Sequence, residues 1–279
     1  MINAAAISAY LDVTRTLYQG AGVCLYVSPY LELRKYISNY TMTFPKNAPE
    51  ITKDYTIMPH GSGTLVMAVE NGEFNIELCG PAILPDVVGG SAMKKDLLVI
   101  VEFQPAGLFA LFGIPQHELT EKAFPLAEID SIFAKQCRNI VEACVTVQSL
   151  INGLDQLFYQ RFTYALKPEV QLAIYETIKQ SGVLKIGTLS SQLHYSERQL
   201  QRLFDQQLGA SPKLFSRIVR INKTMRLLRN SRKTIDTIAG LAGYYDPAHF
   251  VKDFKAVTGR SPQEFRDKMS DFYNEMNKF

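Results

Sequence analysis

Arg198, Gln201 and Arg202 stand at i, i+3 and i+4, a spacing that puts all three on one ridge of a helix. A guanidinium pairs bidentately with guanine O6/N7, and a glutamine amide with adenine N6/N7, so this ridge has the chemistry to read base edges. Ala248, His249, Lys252 and Lys255 make a second such face further along. It is poorer in forked donors, because lysine offers a point charge where arginine offers a planar fork. The first face is therefore expected to discriminate bases and the second mostly to attach to backbone. Any solvated helix rich in Arg and Gln would look the same, so the surrounding elements must decide.

Other chemistry is poorly provided for. The four histidines (60, 117, 194, 249) do not cluster and no HxH occurs. His117-Glu118-Leu119-Thr120-Glu121 ends in Glu where HExxH needs a second His. Gly61-Ser62-Gly63 is flanked by His60 and Thr64, so it is a turn and not a GxSxG elbow, and GxxxxGK[ST] is absent. The four cysteines form no CxxC, which suits free thiols in a reducing, cytoplasmic setting. Cys137 and Cys144, seven apart, fit small residues buried on one helix face. We expect no catalytic residue, no metal and no cofactor. Met1–Leu11 lacks the pattern of a signal peptide and no apolar run is long enough to span a membrane.

The positioning elements follow from an internal repeat. Phe204-x4-Gly209-x-Ser211-Pro212-x2-Phe215 returns as Phe254-x4-Gly259-x-Ser261-Pro262-x2-Phe265, offset by 50 residues. Each copy reads as a short helix, a tight turn, a longer helix, a Gly stop and a Ser-Pro restart. Ser196 with Gln199, and Ser261 with Glu264, can form capping boxes. Asp246-Pro247, Ser211-Pro212 and Ser261-Pro262 each set a cap acceptor before a proline at the first helical position. The reading helices are expected at about Ser196 to Leu208 and Asp246 to Thr258, with Leu200, Leu203, Phe204 and Phe250, Phe254, Val257 facing inward. These are two helix-turn-helix units in tandem. The helix between them, from about Ser211 to Arg229, would span about 28 Å, within reach of successive major-groove faces about 34 Å apart. Arg217, Arg220, Lys223, Arg226, Arg229 and Arg232 recur along it every third residue, and about half are expected to meet phosphates.

Charge divides the chain in the same place. Residues 1–167 carry 12 basic and 16 acidic side chains, a balance of −4, and residues 168–279 carry 18 and 11, a balance of +7. The stretch 185–262 reaches +9, with 14 basic and 5 acidic residues. A basic module tethered to an acidic one suits a polyanionic partner. With 47% hydrophobic and 20% charged residues, the 279-residue chain is an ordinary globular protein of about two domains. Residues 1–125 read as short strands and turns, with Leu65 to Val69 and Leu97 to Phe103 the clearest runs. Residues 126–166 switch to helical period, through Ile129, Phe133, Cys137 and Ile140, then Leu150, Leu154, Phe158 and Phe162.

The tandem units resemble the AraC/XylS family of bacterial transcription regulators over about residues 168–270. The resemblance is carried by Ile238-Ala239, Gly243-Tyr244, Asp246, Phe250, Phe254-Lys255, Gly259, Ser261-Pro262 and Phe265-Arg266, with Arg220, Thr224 and Leu227-Leu228 in the linking helix. Thr224 stands where alanine is usual, Lys252 where arginine is more frequent, and His194 replaces a common turn glycine. The resemblance implies base contact by Arg198, Gln201 and Arg202, and more weakly by His249 and Lys252. It implies backbone contact by Thr188, Ser190 and Ser196, to which Arg217, Arg220 and Lys255 are added as basic groups. Tyr55-x2-Met58-Pro59-His60-Gly61-Ser62-Gly63-Thr64-Leu65 and Phe103-x-Pro105-Ala106-Gly107-Leu108-x3-Phe112-Gly113-Ile114-Pro115-x2-Glu118-Leu119 resemble a poorly characterised module preceding such units in some relatives.

The expected fold is α+β: a β-rich, cupin-like barrel with flanking helices (1–125), a helical dimerisation and linker region (126–166), and an all-α domain of two helix-turn-helix units joined by a long helix (167–279). The expected function is a cytoplasmic, sequence-specific DNA-binding transcription regulator. Its expected partners are double-stranded DNA, a second copy of the chain, RNA polymerase as the family implies, and a small-molecule effector at residues not assigned, with no membrane. The alternatives are a nonspecific architectural DNA binder, a protein-interaction adaptor and, least of all, an enzyme with a DNA-binding tail.

Overall fold

The computed structural model describes residues 1–20, 23–48 and 52–267. A short capped helix, α1 (Ala4–Ser8), precedes the strands β1 (Thr16–Gly20), β2 (Cys24–Val27), β3 (Ile37–Thr43), β4 (Thr56–Ile57), β5 (Thr64–Glu70), β6 (Glu73–Cys79) and β7 (Asp86–Val87). Helix α2 (Gly89–Ala92), β8 (Leu97–Phe103), α3 (Gly107–Phe112), α4 (Gln116–Leu119) and β9 (Ala123–Pro125) follow. The strands β1-β2-β3-β8-β5-β6-β9 lie in that order in one antiparallel sheet, and β4 pairs β7 in a second. Asn71 and Gly72, both at positive φ, close the β5–β6 hairpin with the backbone of a two-residue primed turn.

Alternation along these strands sends one set of side chains to each face. Leu25, Val27, Tyr40, Met42, Leu65, Met67, Phe74, Ile76, Val99, Val101 and Phe103 share a core with Phe133, Cys137, Leu150, Leu154 and Phe158. The latter come from α6 (Ser131–Ala143) and α7 (Val147–Tyr159), which follow the one-turn helix α5 (Leu126–Ile129). Asp155 of α7, fully buried, accepts from Arg15 Nη2 (2.7 Å), Tyr40 Oη (3.0 Å) and the Tyr30 amide (3.1 Å), pinning α7 to the sheet. The opposite face carries buried polar groups, Asn39, Thr41, Thr43 and Glu102, and a small cluster of Cys24, Tyr26 and Ala48 under Tyr55 and Ala92.

The barrel expected from the sequence does not close. Among the described residues the sheet runs from β1 to β9 without pairing between its two ends. Its apolar face is covered by α6 and α7, so no further strand is needed to bury it. The helical period read at 126–166 is realised as α6 and α7, and the runs at 65–69 and 97–103 as β5 and β8.

The remainder is helical: α8 (Pro168–Lys179), α9 (Ile186–Gln192), α10 (Glu197–Leu208), α11 (Pro212–Asn230), α12 (Ile235–Leu241), α13 (Pro247–Thr258) and α14 (Pro262–Asp267). Among the described residues none of these helices is long and apolar enough to cross a membrane. Two cores lie along α11. The first gathers Val170, Leu189, Leu200, Phe204, Phe215 and Val219, and the second Ile218, Ile221, Met225, Ile238, Phe250, Phe254 and Phe265. Each also takes in part of the β-rich half, Ala106 in the first and Met58, with Ile83 packed beside it, in the second.

Candidate nucleic-acid interface

Helix α10 begins at a complete capping box. The Ser196 hydroxyl accepts from the Gln199 amide (3.2 Å), and Gln199 Oε1 accepts from the Ser196 amide (2.9 Å). The preceding turn needs a left-handed residue, and His194 supplies it at φ 57, where the second unit uses Gly243 at φ 77. Leu200, Leu203, Phe204 and Leu208 bury one face of α10, and Gly209 ends it in the left-handed conformation. That leaves Arg198, Gln201 and Arg202 together on the exposed face. Asp205, one turn on, accepts from Gln201 Nε2 at 3.2 and 3.3 Å, which orients the amide with its oxygen outward.

Helix α13 repeats the plan with different chemistry. Asp246 caps it by accepting from the Ala248 amide (2.9 Å), Pro247 fills the first position and Gly259 closes it. Phe250, Phe254 and Val257 face in, while Ala248, His249, Lys252 and Lys255 are exposed. His249 stands edge-on to Tyr244 (5.5 Å), with Nε2 3.6 Å from Asp253 Oδ2. Burial, then the nearby Asp253 carboxylate, push the Tyr244 hydroxyl well above its ordinary pKa, so it keeps its proton and donates a hydrogen bond to Asp253 Oδ2 (3.2 Å).

Three of the residues expected to meet the backbone have partners within the chain. Ser190 is buried, and its hydroxyl donates to the Gly187 carbonyl (3.1 Å). Arg217 is engaged by Asp253 (Nε to Oδ1, 3.3 Å). Arg220 donates from Nε (3.2 Å) and Nη2 (2.5 Å) to the Gly182 carbonyl and lies 4.9 Å from the centre of the Tyr244 ring. Arg220 thus links the turn before α9 to the turn before α13, and Arg217 ties α11 to α13. Thr188, Ser196 and Lys255 are exposed at helix ends or on the outer face.

Sequence reasoning passed over three residues here. Asp205 was legible from its i+4 spacing to Gln201. Asp253 gathers Arg217, Tyr244 and His249, a meeting that no local spacing announces for Arg217. Tyr245, fully exposed in the turn before α13, stands beside the second reading face. Among the described residues, no group of His, Cys, Asp and Glu is arranged to hold a metal.

Residues 189–268 match a family model described as a helix-turn-helix domain. The chain is 36% identical over 85 residues to an uncharacterized HTH-type transcriptional regulator, YisR, of Bacillus subtilis, which is 30% of each chain. It is 29% identical over 135 residues to the arabinose operon regulatory protein of Escherichia coli, 45% of this chain and 46% of that one. The solved C-terminal domain of AraT, a response regulator from Geobacillus stearothermophilus, is 27% identical with a TM-score of 0.36, covering 40% of this chain and 96% of that one. The chain spans about a third of the first two curated relatives, 30% and 33% of their lengths.

Proposed function

Residues 189–268 are an AraC-type helix-turn-helix domain, and on that premise we propose that the chain is a sequence-specific DNA-binding transcription regulator. The observation that carries the reading is the pair of equivalent helices, α10 and α13. Each has a side-chain cap at its start and a left-handed glycine at its end, is buried on one face and is exposed on the face that bears its donors. They are joined by a 19-residue helix, α11. At 1.5 Å per residue α11 is about 28 Å long, so the two helices enter successive major-groove segments on one side of a duplex with modest bending.

Arg198, Gln201 and Arg202 are assigned to base edges, with His249 and Lys252 contributing less, and Thr188, Ser196 and Lys255 to the backbone. Residues 1–125 act as the regulatory part and 167–279 as the DNA-binding part. Residues 126–166 dimerise, a role supported by the exposed Ile132, Val145 and Tyr159 on and beside α6 and α7. A small-molecule effector at the β-rich half, at residues not assigned, shifts which DNA arrangement is favoured. The setting is the bacterial cytoplasm, with RNA polymerase as the downstream partner.

The test is a selection of the full chain against a randomised duplex library at two salt concentrations. Enrichment of two boxes about one helical turn apart supports the reading. Salt-dependent binding with no enriched sequence replaces it with an architectural binder.

A further inference from the structure

The segments Tyr55 to Leu65 and His117 to Glu121 were singled out in the sequence, and both end against the helical half. Met58 belongs to the core of the second unit, and the Pro59 carbonyl accepts from Asn222 Nδ2 of α11 (3.0 Å). Gly61 follows at φ +64, where an added Cβ would lie 3.2 Å from Phe215 Cδ2 and 3.8 Å from Ile218 Cδ1. Phe215 is in the first unit's core and Ile218 in the second's. This run therefore lies along α11 at the seam between the two units.

On either side of it an arm reaches one reading helix. The Thr120 hydroxyl is shared between the carbonyls of Gln116 (2.9 Å) and Gly209 (3.0 Å). A Cβ on Gly209 would lie 2.3 Å from that hydroxyl oxygen, so the approach is as close as a glycine allows. On the other side Ile83 packs on the second core, and Pro85 Cγ lies 3.6 Å from a Cβ placed on Gly259. Gly209 and Gly259 are equivalent positions of the repeat, each the left-handed cap of its reading helix. Glu121 ties the two arms together. Its Oε1 accepts from the amides of Ile83 (2.5 Å) and Leu84 (3.0 Å), and its own amide donates to the Pro81 carbonyl (3.2 Å). Glu121 holds this position at φ 60, a left-handed conformation unusual for a glutamate.

We propose that Glu121 is a positioning residue for DNA-site spacing: through the two arms it joins, the β-rich half grips both reading helices at their equivalent caps and fixes their separation. The inference rests on the DNA-binding reading above. One inserted base pair moves a box by about 3.4 Å and turns it by about 34°. A pair of heads clamped at both caps does not follow that displacement. Released heads, still joined through α11, Arg220 and the approach of Val183 to Gly243, follow it better.

The full chain, Glu121→Ala and Glu121→Gln are compared on duplexes carrying the selected boxes at the selected spacing and with one base pair added or removed. The wild type is expected to lose about tenfold or more in affinity per changed base pair, on the scale of a mismatch. Glu121→Ala is expected to lose about threefold or less. Glu121→Gln keeps an oxygen for the Ile83 and Leu84 amides and is expected to keep the wild-type profile. If Glu121→Ala does not fold, Thr120→Val, which removes the donor to Gly209 at nearly equal size, is expected to show the relaxed profile. A sharp wild-type preference unchanged in the variants overturns the inference and leaves the DNA-binding reading standing, as does a wild type indifferent to spacing. A chain that selects no paired boxes overturns both.

Discussion

Replacing Gly61 by alanine tests whether the β-rich half is docked on α11 as described. Gly61 sits at φ +64, so a methyl there carries the left-handed penalty of about 1–2 kcal/mol. The methyl would also lie 3.2 Å from Phe215 Cδ2, closer than a comfortable contact. Phe215 is fully buried and packed edge-on to Phe204 (6.2 Å), so its ring has little room to yield. Overpacking of this kind costs about 1–3 kcal/mol. Gly72 provides the control: at φ +83 it carries a comparable backbone penalty, but no atom lies within 4 Å of its added Cβ. Urea unfolding of the full chain should therefore place Gly72→Ala about 1–2 kcal/mol below wild type and Gly61→Ala about 2–5 kcal/mol below. The excess at Gly61 measures the contact with α11. Equal losses in the two variants would mean that Gly61 does not touch Phe215, and the docking described here would be wrong.

Arg202→Ala is expected to cost about 1–3 kcal/mol of DNA affinity and to relax selection at one position of the first box, whereas Lys255→Ala weakens all sequences alike and lowers the salt slope by about one. Titrations at several salt concentrations distinguish the two. Asp253→Ala removes the partner of Arg217 and Tyr244, and with Arg217 one-third exposed the loss is expected at about 1–2 kcal/mol, read as a lower urea midpoint. Burial pushes the Cys137 thiol up to about 12, with Arg161 and Asp130 acting on it in opposite directions. The unfolded chain ionises this thiol near its ordinary value of about 8.5, so its contribution to stability is full below that pH and is lost as pH rises toward 12. Cys137→Ala is expected to flatten the fall of stability between those values, and a slope identical to wild type would contradict the assignment.

The helical half was legible because its information is local. Capping boxes at Ser196 and Ser261, prolines at first positions and left-handed glycines at 209 and 259 all act within a few residues of where they are written. Helices α10, α11 and α13 accordingly start and end within a residue or so of their expected limits. The fates of Ser190, Arg217 and Arg220 were not legible, since a helical wheel does not say which neighbour a basic ridge will meet. Arg220, expected to touch phosphate, also bridges the turns at Gly182 and Tyr244. In the β-rich half the period of two revealed β5 and β8, but not that Asn39 and Thr41 would lie buried on β3 facing Glu102. Alternation gives two faces without saying what covers either, and that gap is why a closed barrel was expected where α6 and α7 do the covering. The conspicuous run around Gly61 carried no chemistry of its own, because its partner, α11, lies about 150 residues further along the chain.

In the proposed function, two capped helices on one linking helix read two DNA boxes, the first with more discrimination than the second. The most direct measurement is the affinity of the full chain for its selected duplex, with each base pair of each box substituted in turn at fixed salt. Losses of about 1–3 kcal/mol are expected under α10, where Arg198, Gln201 and Arg202 stand, with smaller, flatter losses under α13. Equal losses under both boxes would contradict the assignment of base reading to the first helix, and no loss at any position would contradict base reading altogether.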